Sequence, residues 1–377
     1  MSFFLRLIAG GLLLFLAFTA VAQQDNSAFY LSAGPDSARQ KTLSVQWDLM
    51  GYFKNNEYFA PTLDGYTLFG YQAPIALHYQ VNDHWSALGG IYLQKDFGIE
   101  GFSTIDPLFS IRYKHGPWFA AFGTLDGSLD HRLIEPLYDF ERRLLNPLEN
   151  GMQFRYHDDR LFADVWVDWQ QAIVPGDDEQ EIITGGLSFS YKIVDMERAS
   201  LSVPVQLILA HQGGQTNTAN TDPVFTLANG AAGLDFRVRE KGFISSWAVQ
   251  SYAVMYGGNI PDGLFAYSSG AGLYVNAYAE SSVVDVMASY WKGSEYISYL
   301  GGDRYVSDSR SVVNPLAVEP DRELFILRFM KDVKLVDGIR LSARAEPFWN
   351  LNGGGFDINY GLYILYDGGF RLAENNL

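Results

Sequence analysis

Chemistry needs side chains that can carry a proton, a metal or a leaving group, and in this 377-residue chain they are thinly spread. Six histidines, His78, His84, His115, His131, His157 and His211, show no metal-ligand spacing. Cysteine is absent, which removes disulfides, thiolate metal sites and cysteine nucleophiles. His211 is followed by Gln212-Gly213-Gly214-Gln215, so a base at His211 has no hydroxyl to activate two residues on. No GxGxxG or GxxxxGK[ST] stands between a strand and a helix. Acids gather at Asp177-Asp178-Glu179 with Glu181, and at Asp303, Asp308, Glu319 and Asp321. Carboxylate oxygens suit Ca²⁺ and Mg²⁺ that bridge anionic headgroups, and a solvated loop explains them as simply. The densest mixture of signs lies in 127–149, GSLDHRLIEPLYDFERRLLNPLE, with Glu135, Asp139, Glu141, Arg142 and Arg143. Pro136 suits a helix start and Leu137, Phe140 and Leu144 share one face, so a short amphipathic helix ending at Pro147 is predicted there.

What positions these residues follows from composition and periodicity. The formal net charge of −16 argues against nucleic acid as a partner. Charged residues are 19 % and aromatics 15 %, with a mean hydropathy of −0.04. Residues 1–22 combine Arg6, an apolar run from Leu7 to Phe18, and Ala20-Val21-Ala22, the pattern of a cleaved export signal. Beyond them no window has about 18 uninterrupted apolar residues. Period-2 alternation recurs instead. Phe69, Tyr71, Ala73, Ile75, Leu77 and Tyr79 alternate with Gly70, Gln72, His78 and Gln80; Phe356, Ile358, Tyr360, Leu362, Ile364 and Tyr366 alternate with Asp357, Asn359 and Gly361. About sixteen such stretches occur, the patterns over 242–256 and 264–279 being weak. The gaps between them are short when even-numbered and often long when odd-numbered. One end of the molecule therefore carries turns and the other carries loops.

Alternation, parity and export together resemble a bacterial outer-membrane β-barrel, porin-like in strand number. The resemblance implies an all-β fold: a transmembrane antiparallel β-barrel of about 16 strands (14–18), with short periplasmic turns and longer external loops. The expected divisions are a signal peptide 1–22, an N-terminal segment 23–41, the barrel 42–372 and a tail 373–377. Two departures from the general porins are visible: the Pro-Glu-Phe-Gly-Gly constriction signature is absent, and Phe370 is followed by seven further residues. Lipid requires every backbone group to be paired, so the sheet must close. A polar alternate face must then line water or pack a plug. The inward set includes Arg112, Arg155, Asp164, Asp168, Arg340, Arg344 and Glu346, with His78, Gln153, Asp357 and Asn359. Aromatics at strand ends, among them Trp85, Tyr113, Trp118, Tyr156 and Trp169, are expected in interfacial girdles.

These readings predict a channel for small polar solutes, localised to the outer membrane. Loop 127–149 is its candidate constriction, with Glu135, Asp139, Glu141, Arg142 and Arg143 beside the inward set above. A non-conducting structural or assembly barrel with a plugged lumen is the alternative, and a rim-located hydrolase a further one. Barrel phospholipases and lipid A deacylases carry a His-x-Ser-Asn type sequence near a strand end, and Gly213 stands where that serine would be. Omptin-type proteolysis needs two acidic/His pairs at the external rim; Asp130-His131 lies there, but Asp158-Asp159 falls in a predicted periplasmic turn. No enzyme activity, cofactor or metal is therefore expected. The implied partners are outer-membrane lipid and lipopolysaccharide, the barrel-assembly machinery and small polar solutes. An oligomer is left open.

Overall fold

A computed structural model describes Asn26, Phe29, residues 41–214 and residues 222–374. The expected export signal lies outside the described residues. The described residues form one closed antiparallel barrel of sixteen strands in chain order, each pairing with its sequence neighbours. The strands are β1 (Thr42–Glu57), β2 (Tyr66–Gln80), β3 (Trp85–Asp96), β4 (Thr104–His115), β5 (Trp118–Thr124), β6 (Asn150–His157), β7 (Leu161–Gln171), β8 (Glu181–Asp195), β9 (Ala199–Gly213), β10 (Phe225–Arg239), β11 (Ile244–Asn259), β12 (Gly270–Ser281), β13 (Asp285–Ser294), β14 (Asp321–Val336), β15 (Ile339–Asn350) and β16 (Gly355–Glu374). β1 closes on β16 from Thr42↔Glu374 to Glu57↔Ile358. Closure leaves no edge with unpaired backbone groups, as a hydrocarbon environment requires.

The alternation read from the sequence is the alternation of the two wall faces. On β2, Phe69, Ile75, Leu77 and Tyr79 are exposed outward, whereas Gln72, His78 and Gln80 are buried inward. On β16, Tyr360, Leu362, Ile364 and Tyr366 face out, and Asp357, Asn359, Tyr363 and Leu365 face in. Three aromatic pairs lie near the short-turn end: Trp85–Tyr113, Trp118–Tyr156 and Trp47–Tyr366, with ring centroids 4.9, 4.8 and 5.8 Å apart.

The lumen is filled rather than open across its loop-side half. Residues after β5 turn inward, and so do residues between β13 and β14. Leu133, Ile134, Leu137 and Tyr138 of the first segment pack with Tyr296, Ile297, Leu300 and Tyr305 of the second. Both pack on wall residues Trp166, Ile208, Leu227, Tyr252, Tyr274, Trp291, Leu324 and Phe348. Backbone bonds sew the two segments together: Asp139 N–H donates to Leu300 O at 2.8 Å, and Gly302 N–H to Glu135 O at 3.0 Å. A second cluster gathers Leu129, Phe140 and Leu144 against Met50, Tyr52 and Tyr363, and Phe29 of the N-terminal segment inserts into it.

The helix predicted from Pro136 is much shorter than expected. Within 127–149 only α1 (Arg142–Leu145) is α-helical, preceded by a 3₁₀ turn at Ser128–His131. Asp139 N–H is used by Leu300 O, and Glu135 O by Gly302 N–H, so the 139→135 bond of a helix begun at Pro136 is not made. At the far end, β16 runs to Glu374, so the tail expected from 373 is partly strand.

Candidate functional site

Two groupings in this frame carry chemistry. The first is buried under the plug. His131 is fully buried, stacked on Trp166 with ring centroids 3.6 Å apart and planes 14° apart. Its Nδ1 lies 2.9 Å from Asp164 Oδ2 and its Nε2 2.7 Å from Glu149 Oε2. Glu149 also accepts from Ser128 N–H at 3.0 Å and from the Tyr138 hydroxyl. Ser128 and Arg132, on either side of His131, both take left-handed backbone with φ of 58°. Non-glycine residues hold that conformation only where surrounding contacts enforce it. Burial opposes charge on His131, but the Glu149 and Asp164 carboxylates outweigh it and lift its pKa to about 9. Glu149 is pushed up by burial, yet His131 pulls it down to about 2. The imidazolium is thus a clamp between two carboxylates, one on β7 and one at the end of the loop, and at neutral pH it is not a free base.

The clamp makes the plug pH-dependent. The folded-state pKa of His131 lies above its ordinary value of 6.5, so its contribution is complete below pH 6.5 and disappears as pH rises through about 9. Glu149 works oppositely, its contribution being present above its ordinary 4.5 and lost as pH falls through about 2. Plug stability is therefore expected to fall between pH 6.5 and 9, by up to about 3 kcal/mol. Amide hydrogen exchange over 128–149 should accelerate across that window; a pH-independent opening rate, after correction for intrinsic exchange, would remove the clamp.

The other charged residues singled out in the sequence are placed as follows. Glu135 pairs with Arg328 of β14 and accepts the Tyr305 hydroxyl at 2.5 Å. Glu141 pairs with Lys54 and receives Tyr66 and Asn56. Burial raises Asp139 to about 7, Glu141 adding to the effect. Arg142 lies over the Tyr138 ring at 5.2 Å. Arg143 reaches Gln72 at 2.6 Å. Arg112 pairs with Asp126 at 2.6 Å and Arg155 with Asp164 at 3.2 Å. Asp168 accepts Asn150 N–H at 2.8 Å. Arg344 sits 4.6 Å from the rings of Phe29 and Phe140, and bonds Asn26 at 2.6 Å. Glu346 is shared by Arg304 at 2.8 Å and Arg328 at 3.5 Å. Arg340 stands apart, pairing with Asp367 at 3.1 Å near the short turns. Apart from Arg340, and from Arg142 and Asp139, which lie within the plug, these groups join the plug to the wall or brace the wall beside it. Below the plug two cavities remain, of about 1020 and 580 Å³, toward the short-turn end. Arg112, Arg143 and Arg340 line the larger, and Arg132, Asp235 and Arg237 the smaller.

The second grouping lies at the loop-side end of β9 and β10. His211 and Thr226 stand directly opposite in the antiparallel register, with His211 Nδ1 2.9 Å from Thr226 Oγ1. Parity puts both on the outer face. On β9, Ile208 and Ala210 are buried inward while Leu209 is 44 % exposed; on β10, Leu227 is buried and Leu234 is 53 % exposed. Glu181 of β8 is on the same face, opposite Gly213 and diagonal to His211, whose own partner is Ile183. A Cβ at Gly213 would meet the Val224 side chain at 2.5 Å, so a serine there would require Val224 to move. The hydroxyl beside His211 thus comes from the next strand. Sequence spacing alone missed it, because Thr226 is adjacent only once the β9–β10 register is set.

The solved structures this chain is similar to show its fold. A loop L8 deletion mutant of OmpT, an outer membrane protein of Vibrio cholerae, is 12 % identical, with 87 % of this chain and 99 % of that one covered and a TM-score of 0.52. OprD from Pseudomonas aeruginosa is 9 % identical, with 94 % and 98 % covered and a TM-score of 0.51. OccAB4 of Acinetobacter baumannii is 11 % identical, with 89 % and 100 % covered and a TM-score of 0.50. No protein of curated function matches the sequence. The chain is an outer-membrane β-barrel. The expectation that it is not an enzyme is overturned by its sequence family: the Lipid A 3'-O-deacylase-type profile matches residues 35–375, and the chain belongs to that family.

Proposed function

We propose that the protein is an acyl-ester hydrolase acting on a lipid A-type glycolipid, working on the outer surface of a barrel whose lumen is closed. The family supplies the reaction class. The observation that carries the reading is the 2.9 Å contact between His211 Nδ1 and Thr226 Oγ1 on the lipid-facing side of the loop-side rim. A hydroxyl is a weak nucleophile until a neighbouring base takes its proton. His211 fills that role, and Thr226 Oγ attacks the acyl carbonyl. The proton passes from His211 to the departing sugar oxygen, and water then releases the fatty acid by the same route in reverse. Glu181, diagonal to His211, is the nearest acid in the register on that face. The site's height matches the substrate, since the sugars of an outer-leaflet glycolipid lie at the loop-side interface. Detergent-solubilised protein mixed with lipid A should release free fatty acid in proportion to time and protein. No release above a protein-free control contradicts the proposal.

A second reading, passage of small polar solutes, is favoured by the two cavities under the plug, which are lined by charges of both signs. It requires the plug to leave. In planar bilayers the wild-type protein is expected to show no stable conductance step. A charge-neutral variant at Glu135, Glu141 and Arg143 should open steps by freeing the plug. Steady wild-type conductance with ion selectivity altered by that variant would instead favour the channel and its constriction.

A further inference from the structure

The row of residues that carries His211 and Thr226 continues one strand further. Thr226 of β10 has His211 of β9 directly opposite on one side and Asn259, the last residue of β11, directly opposite on the other. Directly paired residues share a face, with Cβ atoms about 4.5–5.5 Å apart. Alternation along β11 agrees. Tyr252, Val254 and Tyr256 are buried inward, whereas Met255 is 65 % exposed outward and Asn259, of the same parity, is exposed. At Gly258 the backbone of β11 lies close against Thr226: a Cβ there would be 2.1 Å from Thr226 O, so glycine is required for the approach. β12 stops pairing with β11 at Tyr256↔Gly270, so Asn259 has a strand neighbour only on the Thr226 side. The loop that follows turns inward, with Leu264, Phe265 and Tyr267 packing on the plug cluster, which leaves the outer side of Asn259 clear. Among the described residues its carboxamide has no hydrogen-bond partner.

We infer that Asn259 stabilises the oxyanion formed during the hydrolysis proposed above; the inference rests on that reading of His211 and Thr226. When Thr226 Oγ bonds to the ester carbonyl carbon, its proton passes to His211 and the carbonyl π pair moves onto oxygen. The tetrahedral intermediate then carries one negative charge, on an atom two bonds from Thr226 Oγ. When that electron pair returns, the bond to the sugar oxygen breaks and His211 gives its proton to the leaving group. Water repeats both halves on the Thr226 ester, releasing the fatty acid and restoring the hydroxyl. A fixed N–H donor aimed at the developing charge lowers the barrier of each half, and more so beside lipid than in bulk water. His211 occupies one side of Thr226, so the oxyanion has room on the other, where the Asn259 carboxamide stands one cross-strand spacing away. Ile183, beyond His211 in the same row, is apolar, and the Glu181 carboxylate would repel the charge. Asn259 is thus the member of the row that offers a neutral N–H not engaged in proton transfer.

The test measures initial rates against lipid A concentration, in detergent micelles, for the wild type, Asn259→Ala and Asn259→Asp, with His211→Ala and Thr226→Val alongside. Asn259→Ala is expected to lose about 10²–10³-fold in kcat, the range for one oxyanion donor, with KM little changed. Asn259→Asp keeps the shape but replaces the donor with a carboxylate, so it should be no faster than Asn259→Ala. Binding of a transition-state analogue gives a second readout. A long-chain alkylboronic acid, whose boron becomes tetrahedral and anionic on bonding to Thr226 Oγ, should inhibit the wild type and bind Asn259→Ala more weakly by a similar factor. A packing role for Asn259 would not move that affinity in step with kcat. Wild-type kcat in both Asn259 variants, with His211→Ala and Thr226→Val impaired, overturns the role of Asn259 and leaves the His211–Thr226 pair standing. No hydrolysis by the wild type, or full rates in His211→Ala and Thr226→Val, removes the pair and the role of Asn259 with it. Heat-modifiable gel migration verifies that each variant retains the closed barrel.

Discussion

Replacing His211 by alanine is expected to lower the rate of acyl-ester hydrolysis by about 10²–10⁴-fold, the range that positioned general bases supply. The loss should fall mainly on kcat, because His211 is assigned to proton transfer and the substrate's acyl chains would be held by the lipid-facing wall. Thr226→Val keeps the shape of the side chain and removes the hydroxyl, so a comparable loss is expected. Thr226→Ser restores the hydroxyl and should retain activity, which separates chemistry from packing. Both residues are at the strand ends on the outer face, away from the plug. Barrel stability should therefore be within about 0.5 kcal/mol of the wild type. The measurement is initial rate against lipid A concentration for the four proteins. Wild-type rates in both His211→Ala and Thr226→Val would move the chemistry elsewhere on the barrel.

The second large effect is expected at His131. His131→Leu fills similar space but leaves Glu149, fully buried, without its cation, and takes one of the two cationic partners from Asp164. Breaking a buried ion pair by removing one partner typically costs about 3–5 kcal/mol, because the orphaned charge must stay desolvated or become protonated. Loss of the stack on Trp166 adds to it. The barrel wall has its own ladder of backbone hydrogen bonds, so the cost should appear as release of 128–149 rather than as loss of strands. Two readouts are expected together: faster hydrogen exchange confined to the loop, and conductance steps absent from the wild type. A variant with wild-type exchange and a silent bilayer would show that apolar packing alone holds the plug.

Much of this architecture was readable because each strand with a polar inner face announces its period. β2 and β16 alternate cleanly, since Gln72, His78, Asp357 and Asn359 face in while Ile75, Leu77, Leu362 and Ile364 face out. The weak pattern over 242–256 has a specific cause. Tyr252, Val254 and Tyr256 of β11 face the plug, and Met255 faces outward, so both faces are apolar and the contrast vanishes. The position of loop 127–149 in the lumen was an accessible hypothesis from its charges and prolines. Its partner segment was not. Residues 293–320 read as an external loop because they form one of the long odd-numbered gaps, yet Tyr296, Ile297, Leu300 and Tyr305 are the buried half of the plug. The apolar content of that stretch was the available signal. Phe29 was missed because one aromatic in a polar segment carries no periodicity. Long-range chemistry was least legible: the His131–Glu149 and His131–Asp164 contacts span 18 and 33 residues, and His211–Thr226 depends on the β9–β10 register.

Mass spectrometry of lipid A after incubation with the purified protein tests the central claim most directly. The predicted spectrum shows the loss of a single ester-linked acyl chain, amide-linked chains retained, with the His211→Ala sample unchanged from the starting material. An unaltered lipid A spectrum with the wild-type protein, correctly folded and in excess detergent, would contradict the account.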